Sequence, residues 1–453
     1  MKVIIVIYFL CVAFTVEDKL IFAAVFVRDG VRTMLTNIYK LTDNKNFTEH
    51  LGRLTDIGKR QMYLLGRQID YTYRENKKLI SIKYNPRDIF VNVSGEARSV
   101  ESALSFMYGF YPNGTGPKLT EEQSLQAVPS IQVEDLENIW KELKSNALPE
   151  QIRYVPIHTK YPYNEFNNKY LYSPHINCPS LKDERKKYSY YFDYLEKNNS
   201  ERIYNLGNEC SIEVYSIKEA SDLVDELNSL EANAENAKVK DECKKNAASL
   251  KQFLKDYTIY SHIDTERSKK LLSYVMLSSL RDCFEQAVNV NISEDEKLKM
   301  YISHVEDIHL LVLTKIFFED ESDKLDNGTL NGTHFASSII FELYNTSEGY
   351  KIKALYNNQS VNFIGEKRLD YNNFKNYINE FTYKTDKDFY DSCNYKEDKM
   401  KHTIFVICLF AVFVVSVGTT WVVFICKMKR SMSDTTEEQD DANKLDPMSN
   451  YFV

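Results

Sequence analysis

What this chain has little of narrows it before any motif is read. It has no excess of positive charge: 57 lysines and arginines stand against 65 aspartates and glutamates, a net charge of −8. Nothing in that balance indicates a nucleic-acid partner. It has no internal repeat and no Gly/Ser-rich linker, which leaves one large domain or two interleaved ones for a chain of 453 residues. Proline is scarce, an ordinary bias for a globular ectodomain. Cysteines are few and unevenly placed. Cys11 lies in a first apolar run, and Cys408 and Cys426 lie in or at the end of a second. Between them stand Cys178, Cys210, Cys243, Cys283 and Cys393, an odd number for an oxidising compartment.

The two apolar runs set the expected topology. Met1-Lys2, then Val3 to Phe14, with the small residues Ala13 and Thr15, reads as a secretory signal over residues 1–16. Thr403 to Cys426 is long enough to cross a bilayer, which takes roughly 20 residues. Lys427, Lys429 and Arg430 follow at once and place the tail, 427–453, in the cytoplasm. The expectation is a single-pass type I membrane protein whose residues 17–398 face the cell exterior or a lysosomal or endosomal lumen. Between signal and span, Asn46, Asn92, Asn113, Asn198, Asn291, Asn327, Asn331, Asn345 and Asn358 each begin an Asn-x-Ser/Thr triplet. All but Asn92 are glycosylation candidates. Asn92 falls at the end of a core strand, where a glycan has no room. In the tail, acidic Glu437 to Asp441 reads as disordered. The end, Asn450-Tyr451-Phe452-Val453, offers the alternate side chains and free carboxylate that PDZ-type pockets bind.

Between these ends the pattern is α/β. Lys19 to Val27 reads as a buried strand that stops abruptly at Arg28-Asp29-Gly30-Val31-Arg32. The carboxyl end of such a strand is where α/β sheets place ligand sites. Two arginines four apart, flanking a glycine that lets backbone come close, form a fork for an anion. Leu54 to Gly58 leads into a helix with Met62, Leu65, Ile69 and Tyr73 on one face. Asp88 to Val93 reads as a strand and Glu96 to Phe110 as the helix behind it. Leu181 to Ala287 is Lys/Glu-rich with helical spacing. Lys297 to Ile302 leads into His304-Val305-Glu306-Asp307 and an apolar helix, Ile308 to Phe317. Ser337 to Tyr344 and Tyr350 to Tyr356 read as a hairpin.

The loop at Arg28 resembles the Arg-His-Gly-x-Arg signature of the histidine acid phosphatases, with Asp29 where that family has its nucleophilic histidine. Leu54-Thr55-Asp56-Ile57-Gly58 is similar to the helix start that follows the signature. Asn92 to Arg98, with Ser102-Ala103, resembles the family's Arg-Ser-x-x-x-x-Arg block. There Arg98 matches, while Asn92 stands in place of an arginine that the resemblance makes a phosphate ligand. Val155 to Thr159 and Asn177-Cys178-Pro179 match the run into the family's helical subdomain. Glu306-Asp307 takes the place of its His-Asp pair. A rival register through His304 needs a two-residue slip that moves Asp307 off its partner; the first is preferred because the helix that follows then matches without a gap. Cys393 matches the family cysteine that bridges back to the Asn-Cys-Pro cysteine, which implies a Cys178–Cys393 disulfide.

The resemblance implies an α/β fold, a phosphoglycerate-mutase-like sheet flanked by helices, with a mostly α cap over about residues 155–290. It also implies a chemistry. In the family, a neutral imidazole attacks phosphorus, arginines and a second histidine hold the phosphoryl oxygens, and an aspartic acid protonates the leaving group, with no metal or cofactor. Arg28, Arg32 and Asp307 remain here, whereas Asp29, Asn92 and Glu306 do not match. Two of the three changes add a carboxylate to an anion site, which costs several kcal/mol unless one is protonated. The reading is a pseudophosphatase serving as a binding or receptor-like ectodomain. The alternative is a phosphatase of altered chemistry, in which the Asp29 carboxylate attacks. A cation or basic-peptide site, and plain internal ion pairs (Arg28 with Asp29 or Asp307, Arg32 with Glu306), are further possibilities.

Overall fold

The structure, a computed structural model, describes residues 18–37, 41, 49–159, 178–234, 239–318, 334–394 and 399–442. The proposed signal, Asn46, Asn327, Asn331 and the C-terminal Asn450–Val453 lie outside the described residues. Two units are distinct, residues 1–394 and 395–453.

The first unit is built on strand β1 (Lys19–Arg28), whose residues 22–27 are fully buried. That continuous burial is the mark of a strand covered on both faces. Alternate side chains go to opposite sides. Ala23, Val25 and Val27 join one core, and Phe22, Ala24 and Phe26 the other. Helix α1 (Asp56–Asp70) follows, capped by the Thr55 hydroxyl, which accepts from the Gly58 N–H. It runs on as a π-helical turn, Tyr71–Asn76. Met62, Ile69 and Tyr73 are buried, so the apolar face read from the sequence is the one that packs. Next come β2 (Ile89–Val93), α2 (Ala97–Phe110), α3 (Glu121–Gln126), α4 (Leu136–Leu143) and β3 (Ile157–His158).

Among the described residues after β3 come the helices α5 (Pro179–Lys187), α6 (Ser189–Cys210), α7 (Ile217–Ala232), α8 (Asp241–His262) and α9 (Glu266–Val288). Helices α6 to α8 share their own apolar core, around Leu206, Leu223 and Leu250. A disulfide, Cys210–Cys243, ties α6 to α8. Helix α9 belongs instead to the sheet: Phe284 meets Phe22 edge-on, ring centroids 5.4 Å apart.

The chain then returns through β4 (Met300–Val305), α10 (Asp307–Phe317), β5 (Ser338–Thr346), β6 (Gly349–Tyr356), β7 (Gln359–Val361), β8 (Leu369–Asp370), α11 (Tyr371–Glu380) and α12 (Asp386–Ser392). The sheet order is β3-β2-β4-β1-β5-β6-β7, with β8 on β6. Strands β1 to β4 are parallel neighbours, while β5 to β8 add antiparallel pairs and include the expected hairpin. Helices α1 and α2 cover one face, and α9 to α11 the other. The Cys178–Cys393 disulfide is formed, closing a loop of 215 residues. Cys283 is buried and free, which accounts for the odd count.

The second unit is helix α13 (Lys399–Ala442). Its segment Leu409–Lys429, 21 residues, is long and apolar enough to cross a membrane. The helix continues through Glu437–Asp441, where acidic composition suggested disorder. A helix that is already nucleated extends at little cost per residue, so a polar continuation can stay helical.

Candidate functional site

The parallel order brings the ends of β1 and β4 side by side, with Arg28 opposite Val305. The loop after β1 is held from several sides. The Gly30 N–H donates to the Ser102 hydroxyl at 3.3 Å, and the Val31 N–H to Gln61 Oε1 at 3.0 Å. The Thr55 N–H donates to the Val31 carbonyl, and the Ala336 N–H to the Asp29 carbonyl, each at 3.0 Å. Glycine is required where the loop crosses α1: a Cβ on Gly30 would lie 2.5 Å from the Gly58 carbonyl oxygen, and one on Gly58 would lie 2.1 Å from that of Val31. The loop is thereby pre-organised.

Asp29 points inward. Its Oδ2 accepts from the Ser99 hydroxyl at 2.7 Å and lies 3.5 Å from Arg98 Nε. Its Oδ1 is buried without a partner. Burial pushes this carboxyl up to about 6, against the opposing pull of Ser99, Arg98 and Arg28. Asp307 begins α10, and its carboxylate lies 3.5 Å from Arg28 Nη2. Burial raises its pKa, but Arg28, Arg32, the Ile308 N–H and Arg98 outweigh that and hold it below the ordinary value. Glu306, the N-cap of α10, lies 3.8 Å from Arg98 Nη2.

Arg32 does not pair with Glu306. It forms a two-pronged ion pair with Asp225 of α7, Nη2–Oδ1 2.7 Å and Nη1–Oδ2 3.2 Å. Burial alone would depress its pKa, but Asp225 reverses the sign and raises it. The clamp is wider than one pair: Asp225 also accepts from the Leu35 N–H, and Asn233 Nδ2 donates to the Arg32 carbonyl. The Phe335 ring stacks on Arg28 at 4.5 Å and on Arg32 at 5.7 Å, a cation–π cover over both.

Arg28, Asp29, Glu306 and Asp307 are therefore joined into one network, with Arg98 bridging Asp29 and Glu306. Asn92 lies fully buried within β2, opposite Ser303 of β4. The third guanidinium of the cluster comes from Arg98. Its match was visible in the sequence, yet it was not set among the site residues. Asp225, Ser99 and Phe335 were not foreseen either. His304 is buried inside β4 with its ring edge-on to Phe106 at 5.6 Å, and neither ring nitrogen has a partner. Burial depresses its pKa to about 3, so the imidazole is neutral. The strand ends at Val305, so Glu306 and Asp307 occupy the strand-to-helix junction. His158 stacks flat on Phe90 at 4.4 Å. Among the described residues no group of three His, Cys, Asp or Glu side chains is placed to hold a metal ion.

Among the described residues three guanidinium groups thus face five carboxylates, Asp29, Glu96, Asp225, Glu306 and Asp307. Each guanidinium already has an internal counter-ion.

The profile of the histidine phosphatase superfamily (branch 2) matches residues 17–357. A Caenorhabditis elegans protein, provisionally named as an acid phosphatase, is 31% identical over 99 residues, 21% of this chain and 22% of that one. The mouse lysophosphatidic acid phosphatase type 6 is 29% identical over 79 residues, 17% of this chain and 19% of that one. The matches span about a fifth of the length of these curated relatives. Among solved structures, Hafnia alvei phytase in complex with tartrate superimposes with a TM-score of 0.55 at 11% identity, covering 83% of this chain and 99% of that one. Citrobacter braakii phytase does so with 0.50 at 13%, covering 83% and 99%. At such identities the likeness is one of fold.

Proposed function

The chain belongs to branch 2 of the histidine phosphatase superfamily, and on that premise we propose that it is a non-hydrolysing member, a membrane-tethered ectodomain that binds rather than cleaves. The observation that carries this reading is the ion pairing of the arginines. Arg28 faces Asp307, Arg32 is clamped by Asp225, and Arg98 lies among Asp29, Glu306 and Glu96. A phosphate dianion entering here meets guanidinium groups whose charge is already spent, and carboxylates that repel it. Asp29 carries the proposal's second half. An aspartate hydrogen-bonded to Ser99 supplies no imidazole, and loss of a nucleophile alone costs about 10³ to 10⁶ in rate.

The altered-chemistry reading has one observation in its favour: the unpartnered Asp29 Oδ1 is what a carboxylate nucleophile requires. The excess of carboxylate charge around it weighs the other way.

The membrane arrangement proposed is the one read from the two apolar runs, the second of which is long and apolar enough to cross a membrane. Residues 1–16 serve as signal, 17–398 face the exterior or a lysosomal or endosomal lumen, and 403–426 span the bilayer. Two disulfides suit an oxidising compartment. Asn113, Asn198, Asn291, Asn345 and Asn358 are exposed and accessible to glycosylation.

Binding of inorganic phosphate, followed by calorimetry on the full-length chain, tests the reading. No heat is expected at millimolar phosphate. The triple change Asp29→His, Asp225→Asn and Glu306→His frees Arg32 and removes three carboxylates, and it should create binding. Phosphate binding by the unmodified chain tighter than millimolar would overturn the reading.

A further inference from the structure

A second concave site lies between α1, α2 and the segment Ile152–Val155, sharing no residue with the cluster at the strand ends. The two helices come unusually close because each presents a glycine. A Cβ on Gly66 would sit 2.0 Å from the Phe106 carbonyl oxygen, and one on Gly109 would sit 2.1 Å from that of Tyr63. Beside this crossing the surface opens into a groove of about 550 Å³, within the range of roughly 300–1,000 Å³ usual for small-molecule sites. Its floor is Met107 and Val155, both buried. Its walls are apolar yet wet: Leu104 is 50% exposed, Tyr108 38% and Tyr154 69%. Tyr63 and Tyr108 lie side by side along it, ring centroids 6.0 Å apart and tilted by 48°.

The charge of the lining is one-sided. Lys59, Arg60 and Arg153 line the groove, and among the described residues no aspartate or glutamate does, although the chain as a whole is acidic. Arg153 is fixed rather than floating. Its guanidinium stacks on Tyr84 at 4.9 Å and donates through Nη2 to the Thr115 carbonyl, and no carboxylate pairs with it among the described residues. Arg60 is exposed and likewise has no carboxylate partner among them. Lys59 keeps a local pair with Asp56 at 2.8 Å. An apolar trough whose two arginines, Arg60 and Arg153, have no carboxylate partner among the described residues is the reverse of the strand-end cluster, where every guanidinium has one.

We propose that this groove binds an amphipathic organic anion, its hydrocarbon or aromatic body along Tyr63, Leu104 and Tyr108 and its carboxylate, sulfate or phosphate head on Arg60 and Arg153. Apolar burial supplies the attraction, and the cations select the sign of the head. A neutral or cationic amphiphile of equal chain length gains the first term only.

The test uses the full-length chain in lipid nanodiscs, photolabelled with a diazirine-bearing octanoate, with labelled peptides mapped by mass spectrometry. Label is expected on the peptides carrying Tyr63, Leu104–Tyr108 and Ile152–Val155. Octanoate and octyl sulfate should displace it, and octylamine should not. Arg60→Glu changes an exposed side chain, so the fold should persist with an unchanged melting temperature, while labelling falls at least about fivefold. Arg153→Gln should lower it further, and an unchanged melting temperature separates that loss from unfolding. Displacement by octylamine equal to that by octanoate, labelling unaffected by Arg60→Glu, or label confined to other peptides would overturn the proposal.

Discussion

Two buried carboxylates separated by a few residues' width of sheet have been treated very differently by this fold. Glu342 of β5 is fully buried, and both its oxygens are satisfied. The Tyr73 hydroxyl (2.6 Å) and the Lys77 ammonium donate to Oε1, and the Tyr344 hydroxyl (2.7 Å) donates to Oε2. Asp29, just past the end of β1, has one oxygen on Ser99 and the other buried with none. The first is how a structural ion is made tolerable in a core. The second is an incomplete arrangement, at the carboxyl end of the first strand. Closure by the protein's own donors marks a structural cluster. An orphaned oxygen beside an arginine leaves an acceptor that the fold itself does not use.

The sharpest way to break the comparison is to delete each carboxylate. Glu342→Ala strips a half-buried ammonium and two phenols of their acceptor and should cost roughly 3 kcal/mol in urea unfolding. Asp29→Asn should cost little at neutral pH, because it removes a charge that the fold does not fully solvate. A comparable loss from both variants would erase the distinction.

The pH dependence should follow the same line. The folded Asp29 pKa of about 6 exceeds its ordinary 3.8, so the folded protein holds this proton more tightly than the unfolded chain. Its contribution is full below pH 4 and is lost as the pH rises through 6, a difference of about 3 kcal/mol. Asp307, held below the ordinary value, acts oppositely: its contribution is present above that value and is lost as acid protonates it. Unfolding curves of the unmodified chain and Asp29→Asn, compared between pH 4 and 8, isolate the Asp29 part. Parallel curves would contradict the assignment.

A smaller effect is expected at the clamp. Arg32→Ala leaves Asp225 without its partner. Because Asp225 retains some solvent and the Leu35 N–H, the cost should be about 2 kcal/mol rather than that of a fully buried pair. Proteolysis within α7 should quicken as its hold on the loop is lost. The smallest expected signal is an absence: glycopeptide mass spectrometry should find Asn92, fully buried in β2, unoccupied, in contrast to exposed Asn113 and Asn345.

Much of this was legible in the residues. The apolar run to Val27 and the helix face of Met62, Ile69 and Tyr73 follow from local pattern, the junction at Glu306-Asp307 follows from the resemblance, and all three appear in the fold. Cys178–Cys393 was reached by resemblance alone. What stayed hidden needed three-dimensional neighbours. Asp225 is one of several acids on an acidic helix, and only the packing of α7 against the loop singles it out. Phe335 precedes a strand by a few residues and carries no motif. Cys210 and Cys243 could not be paired by count. Arg98 lay in a matched block, but the choice between it and Asn92 depends on which residue starts the helix and which ends the strand. Strand pairing puts Asn92 inside the sheet.

The central claim is that this arrangement does not turn over phosphate monoesters. Hydrolysis of p-nitrophenyl phosphate by the purified full-length chain, measured from pH 4 to 8, tests it most directly. The account predicts no turnover above the blank at any pH. Turnover above about 1 per second that disappears in Arg28→Ala would contradict it.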